Sequence, residues 1–114
     1  MRGMKVIHLT TVGRVTGKPH WVELYCFFHK EQPVIIASYG GKDEHPQWYL
    51  NLKANPAVTV KIGKDSYPAT AKIAGPKLRA TLWQELSELN SHYEGFQRKT
   101  QRTIPMVVLH KEAS

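Results

Sequence analysis

Two groups of residues in this chain could together hold a large, flat, anionic molecule. The first is Gly13-Arg14-Val15-Thr16-Gly17-Lys18, where two glycines bracket a cation and a hydroxyl and Lys18 adds a second charge. The second runs from Ile36 to Leu52. An apolar strand passes through Ile36, Ala37 and Ser38 into Tyr39 and a Gly40-Gly41 loop, and a short aromatic helix with Gln47-Trp48-Tyr49-Leu50-Asn51 follows. Glycine pairs let backbone approach a ligand, N–H groups at a turn or helix start favour an anion, and Trp48 and Tyr49 offer flat surface to a ring. Cation, hydroxyl, donors and ring surface in combination suit a flavin-like redox cofactor. Taken alone, the Ile36 to Leu52 stretch reads equally as a tight strand-to-helix connection with core aromatics.

Other chemistries lack their residues. The histidines at 8, 20, 29, 45, 92 and 110 show no metal-ligand spacing and no second cysteine supports zinc, so no metal site is expected. Ser38 lies in Ala-Ser-Tyr-Gly-Gly, which is not a nucleophile elbow. Neither a Gly-x-Gly-x-x-Gly fingerprint nor a phosphate loop ending in Gly-Lys-Ser/Thr is present.

The elements that would position these groups follow from periodicity. Lys5 to Thr11 reads as a strand closed by the Gly13–Gly17 turn. Pro19 to His29 reads as the next, with Trp21, Glu23 and Tyr25 alternating against Val22, Leu24 and Cys26, so the two sets face opposite ways. Lys30 to Pro33 turns the chain into a third strand, Val34 to Ser38. Pro46 suits a first helical position and Asn55-Pro56 ends that helix. Ala57 to Ile62 and Ser66 to Ile73 form a hairpin, with Pro68 pointing to an edge or bulge. Pro76 to about Asn90 carries Leu78, Leu82, Leu86 and Leu89 at helical spacing as a core stripe, flanked by Trp83. Ser91 to Thr103 reads as a polar, aromatic connection, and Ile104 to Leu109 as the closing strand. Six short strands, antiparallel because the first connections are too short for crossovers, with two helices, imply a mainly β (α+β) small closed barrel. Its interior would be filled by side chains, leaving a ligand to an external groove or an interface.

At 114 residues the chain reads as one domain, residues 1–114. Lone Cys26 cannot form an internal disulfide and reads as a buried core residue, which favours a reducing, cytoplasmic setting. The start lacks the apolar run of a secretion signal, and no stretch approaches the length of a membrane span, so no stable membrane insertion is expected. Sixteen basic against nine acidic residues leave a formal charge of +7, which points to an anionic partner. The charges are spread and not bunched into an arm, which weakens a nucleic-acid reading.

Four stretches in order resemble the deazaflavin-dependent nitroreductase family: Leu9 to Pro19 (LTTVGRVTGKP), Ala37 to Gly41, Pro46 to Pro56, and Tyr93-x-x-Phe96-Gln97 with Arg102-Thr103-Ile104-Pro105. The resemblance implies a split β-barrel related to FMN-binding proteins, and coenzyme F420, a flavin-like ring carrying a phosphate and a polyglutamate tail. It would place Arg14, Val15 and Thr16 at the phosphate or tail. His20, Trp21, Val22, Glu23, Leu24 and Tyr25 would line the ring, Ile36, Ala37, Ser38 and Tyr39 would form a cradle, and Gln47, Trp48, Tyr49, Leu50 and Asn51 would complete the site, with Tyr93 closing over it. Departures from the family pattern are Val15 where lysine often follows the arginine, His20 for arginine, Tyr39 for lysine, Phe96 for tyrosine and Asn90 where a tyrosine is expected.

The activity so implied is an oxidoreductase that passes a hydride from the reduced deazaflavin to a small electrophile such as a quinone, an activated alkene or a nitro compound. Tyr25, Ser38 and Tyr93 are its candidate catalytic hydrogen-bond donors. Alternatives are an FMN- or haem-binding barrel, a non-catalytic cofactor carrier, and a single-strand nucleic-acid binder stacking bases on Trp21, Tyr25 and Trp48. Nucleic acid is not the expected partner, because the Gly-Gly and Pro-x-Trp-Tyr motifs have no role there. Monomer and homodimer both fit.

Overall fold

The computed structural model describes residues 3–112; Met1, Arg2, Ala113 and Ser114, which the one-domain reading takes in, lie outside the described residues. The chain runs β1 (Lys5–Val12), β2 (Pro19–His29), β3 (Gln32–Ile36), a single 3₁₀ turn at Tyr39–Gly41, α1 (Gln47–Ala54), β4 (Ala57–Ile62), β5 (Asp65–Ile73), α2 (Pro76–Leu89), α3 (His92–Arg98) and β6 (Met106–Lys111). The six strands close an antiparallel barrel in the order β1-β2-β3-β6-β5-β4, with Leu9 opposite Val60 where β4 meets β1. This is the mainly β, split-barrel architecture expected.

Strand alternation sorts the apolar side chains into two cores. Inward-facing Ile7, Leu9, Cys26, Ile35, Val60, Val107 and Leu109 fill the barrel, and α1 lays Trp48, Tyr49 and Leu52 against them. Outward-facing Phe27, Val34, Ile36, Met106 and Val108 are covered by Leu82 and Leu86 of α2 and Tyr93 of α3. Each fully buried leucine contributes about 1.5–3 kcal/mol relative to exposure. The helices cover only one flank, so Trp21 and Tyr25 on the outer face of β2 stay exposed.

Several local expectations need correction. There are three α-helices among the described residues, not two: α3 falls in the stretch read as a connection. Seven residues with Gly95 inside carry little intrinsic helicity; packing of Tyr93 and Phe96, whose rings meet edge-on at 5.6 Å, supplies the rest. The turn into β3 takes only Lys30 and Glu31, both at positive φ (+49° and +67°), the twist that suits a two-residue hairpin. Pro33 therefore lies inside β3, opposite Phe28, and the strand ends at Ile36, before Ser38. Pro46 caps α1 from outside its first turn. Pro68 makes no bulge or free edge: it pairs in register with Thr59, and its carbonyl accepts from Glu112 N–H at 3.1 Å just past the end of β6. In α2 only Leu82 and Leu86 of the leucine stripe are buried; Leu78 and Leu89, at its two ends, are exposed. Cys26 is fully buried, as expected.

Candidate functional site

One end of the barrel opens into a cleft of about 730 Å³, where the β1–β2 loop, the Tyr39–Gly41 turn and α1 converge. The β1–β2 loop is built by its own short bonds. Gly13 N–H donates to Lys18 O and Gly17 N–H to Gly13 O, both at 2.8 Å, and Lys18 N–H donates to the Thr16 hydroxyl at 3.2 Å. Gly17 supplies the left-handed φ of +73°, while a Cβ on Gly13 would stand 2.7 Å from both the His20 ring and Thr16 Oγ1.

The loop is fastened to α1 through Asn51. This buried amide accepts from Arg14 N–H at 3.2 Å and Arg14 Nη1 at 2.8 Å, and donates to Thr11 Oγ1 at 3.2 Å. Arg14 Nη2 donates to Gln47 Oε1 at 2.7 Å. The guanidinium is thus held by neutral amides, and no carboxylate pairs with it among the described residues. Its full charge faces the cleft, with N–H groups left over for an anion.

Across the cleft, Ser38–Lys42 forms two overlapping i→i+3 turns: Gly41 N–H donates to Ser38 O at 2.8 Å and Lys42 N–H to Tyr39 O at 3.2 Å. Tyr39, Gly40 and Gly41 all have positive φ. Gly40 borders the cleft with no atom within 4 Å of a Cβ position, whereas a Cβ on Gly41 would meet Phe96 O at 2.7 Å. Apolar Val22, Leu24 and Ile36 and the ring of Trp48 line the cleft, with Trp21 at 69% exposure also bordering it. A cation without a counter-charge, an open glycine backbone and flat apolar walls fit an anionic, ring-bearing cofactor of flavin size.

A family model described as "F420H(2)-dependent quinone reductase" matches residues 1–111. An F420H(2)-dependent quinone reductase of Mycobacterium tuberculosis H37Rv is 39% identical over 104 residues, which cover 89% of this chain and 70% of that protein. The chain belongs to this family. Among solved structures, an F420-H2 dependent reductase (FDR-A) is 34% identical with a TM-score of 0.84, covering 93% of this chain and 94% of that one. Another, described as a domain-swapped dimer, has the same identity and TM-score and covers 93% of this chain and 80% of that one. Family membership makes the chain an F420-dependent oxidoreductase and accounts for its basic balance, since the cofactor is anionic.

Within this F420H(2)-dependent reductase, the residues singled out in sequence fall into two sets. Arg14, Val15, Thr16, His20, Trp21, Val22, Leu24, Ile36, Ser38, Tyr39, Gln47, Trp48 and Asn51 line the cleft. Glu23, Tyr25, Ala37, Tyr49, Leu50 and Tyr93 do not. Glu23 lies on the outer face of β2, its carboxylate 3.3 Å from His8 Nε2. Ala37 and Tyr49 are buried in the barrel core, against which Leu50 also packs. Tyr93 is buried in the second core, which also contains Ile36, and burial, then the nearby Tyr25, pushes its phenol pKa up. Of the three candidate donors, Ser38 alone borders the cleft. No group of three or more His, Cys, Asp or Glu side chains is arranged to hold a metal among the described residues.

Arg102 was missed as a site residue. It stands in the Arg-Thr-Ile-Pro stretch before β6 and donates to three carbonyls around the left-handed turn, those of Ala37, Ser38 and Lys42, and to His45 Nδ1. Gln97 of α3 aligns the segment, donating to Arg102 O at 2.7 Å while its own oxygen accepts from Arg79 Nη2 and Ile104 N–H, each at 3.0 Å. The only sequence signal was the recurrence of these residue types in one of the four stretches.

Proposed function

We propose that this chain binds coenzyme F420 in the barrel-end cleft and reduces a quinone there. The observation that carries the reading is Arg14, a cation fixed at the cleft wall by Asn51 and Gln47 and left without a carboxylate partner among the described residues. Arg14, with the Thr16 hydroxyl beside it, would hold the cofactor's phosphate or tail. Trp48 and Trp21 would flank the ring, and Val22, Leu24 and Ile36 would keep water from it. When bound, the reduced deazaflavin supplies a hydride, and the quinone, taking that hydride and one proton from solvent, leaves as hydroquinone. Ser38, half-buried at the cleft, would donate its hydroxyl proton as a hydrogen bond to the quinone oxygen that gains negative charge. Tyr25 and Tyr93 would act at one remove, Tyr93 as a member of the core that also holds Ile36.

We further place the chain as one domain working in the cytoplasm, supported by the lone cysteine. No described helix is long and apolar enough to cross a membrane. The domain-swapped relative supports a homodimer as readily as a monomer.

Titration of the purified protein with F420 and, separately, FMN, followed by turnover of F420H2 with a soluble quinone, tests the reading. Saturable F420 binding and quinone-dependent oxidation are expected. Binding of FMN with none of F420 would defeat it.

A further inference from the structure

A left-handed turn that contains a bulky residue persists only where its surroundings over-determine it. Tyr39, Gly40 and Gly41 have φ of +47°, +64° and +83°, and one side chain supplies much of that restraint. Arg102 Nε donates to Lys42 O at 2.8 Å, Nη1 to Ala37 O at 3.1 Å and Nη2 to Ser38 O at 2.9 Å. Carbonyls from both sides of the turn therefore converge on one planar guanidinium. Nη1 also reaches His45 Nδ1 at 3.2 Å, and a guanidinium only donates, so Nδ1 must offer its lone pair and the imidazole must be neutral with its proton on Nε2. Burial, then the charges of Arg102 and Lys53, pushes the His45 pKa down and keeps that form. The other groups facing the pair are the Tyr49 ring, 4.7 Å from the His45 ring, and the Asp43 carboxylate, which acts on Arg102 and accepts from Thr100 Oγ1 at 2.8 Å.

We propose that Arg102 is a positioning residue for the cofactor and for Ser38, and that neutral His45 keeps its guanidinium seated. This rests on the F420 reading above. Arg102 does not line the cleft; it acts through the backbone of Ala37 to Lys42, which carries Ser38, Tyr39 and Gly40 to the cleft wall. Protonating His45 replaces the acceptor by an N–H facing the guanidinium and sets two like charges together. The guanidinium must then retreat, and the Ala37, Ser38 and Lys42 carbonyls lose the donor that they share. Cofactor affinity falls on the acid side of the ordinary imidazole range.

The test compares wild type, Arg102→Lys and His45→Asn in F420 titrations between about pH 5 and pH 8, with steady-state turnover and melting temperature on the same samples. Lysine keeps the charge but cannot span three carbonyls, while asparagine offers a non-titrating acceptor in place of Nδ1. The expected result is an acid loss of affinity in wild type that is absent in His45→Asn. Arg102→Lys should bind F420 about tenfold to a hundredfold more weakly, with a lower kcat and a melting temperature near wild type. Wild-type binding with an Arg102→Lys variant unchanged in affinity and kcat overturns the positioning role alone. An acid loss that persists in His45→Asn overturns the part assigned to His45. A wild type that binds no F420 at any pH overturns the F420 reading and this inference together.

Discussion

Asn51→Asp separates charge from shape at the point where the β1–β2 loop is fastened. The two side chains have the same heavy-atom outline, so the acceptors for Arg14 N–H at 3.2 Å and Arg14 Nη1 at 2.8 Å survive. The donor to Thr11 Oγ1 is lost, a neutral bond worth about 0.5–1.5 kcal/mol. The new carboxylate regains a similar amount by pairing with Arg14, leaving fold stability within about 1 kcal/mol of wild type. The effect on anion binding is larger. An anion on the free edge of the guanidinium would lie about 7 Å from the new carboxylate, and repulsion at that distance is about 0.6 kcal/mol per charge at a dielectric of 80 and about 2.4 at 20. Because Arg14 is exposed, the lower end is the safer guide, and the range corresponds to about threefold to sixtyfold weaker F420 binding. Fluorescence titration with F420 at low and high salt, with a melting curve as control, measures it; the penalty should shrink as salt rises. Equal affinity in Asn51→Asp and wild type, with the fold intact, would refute the assignment of Arg14 to the cofactor's anion.

Gly41→Ala forces a Cβ to 2.7 Å from Phe96 O at a φ of +83° and should cost about 2–4 kcal/mol in chemical denaturation. Gly40→Ala meets no atom within 4 Å and should cost about 1–2 kcal/mol, the left-handed penalty alone; equal losses would count against the packing of the turn on α3. Burial pushes the Cys26 thiol up to about 11 from 9.0, so a thiol reagent at neutral pH should label it only after unfolding. Its raised value favours the protonated folded form: this contribution to stability is complete below about pH 9 and is lost as pH rises toward 11. Leu82→Ala, at a fully buried position, should destabilise by about 2–5 kcal/mol, and exposed Leu78→Ala by less than about 1 kcal/mol in the same urea titration.

Much of the barrel could be read along the chain because its signals are local. The alternation of Trp21, Glu23 and Tyr25 against Val22, Leu24 and Cys26 needs only the two-residue period of a strand, and the outcome is a sheet with Cys26 inside and Trp21 outside. The ends of α2 were over-read because a leucine stripe says which face turns inward but not how far the sheet beneath it extends; Leu78 and Leu89 overhang. The Lys30-Glu31 turn was misplaced because its positive φ values fall on residues that carry no turn signal. Short α3, with a glycine inside, is held by its packing on α2 and on the Tyr39–Gly41 turn.

The sequence by itself determined the strand faces, the antiparallel sense of the short connections, the glycines of both loops and the residue types from which an anion and ring site could be made. Each of these is set by neighbours within a few positions, where steric and hydrogen-bonding preferences act directly. Tertiary structure decided which of those residues meet. Closure of the barrel brings Arg14 to Asn51 across 37 positions and Arg102 to the Ser38 carbonyl across 64, and it is these distant contacts that fix the Arg14 charge at the cleft and hold the left-handed turn in shape. A side chain's partner depends on where the whole chain returns, so Tyr93 and Tyr25, credible donors by type, sit outside the cleft lining, while Arg102, unremarked by type, braces the turn beside it.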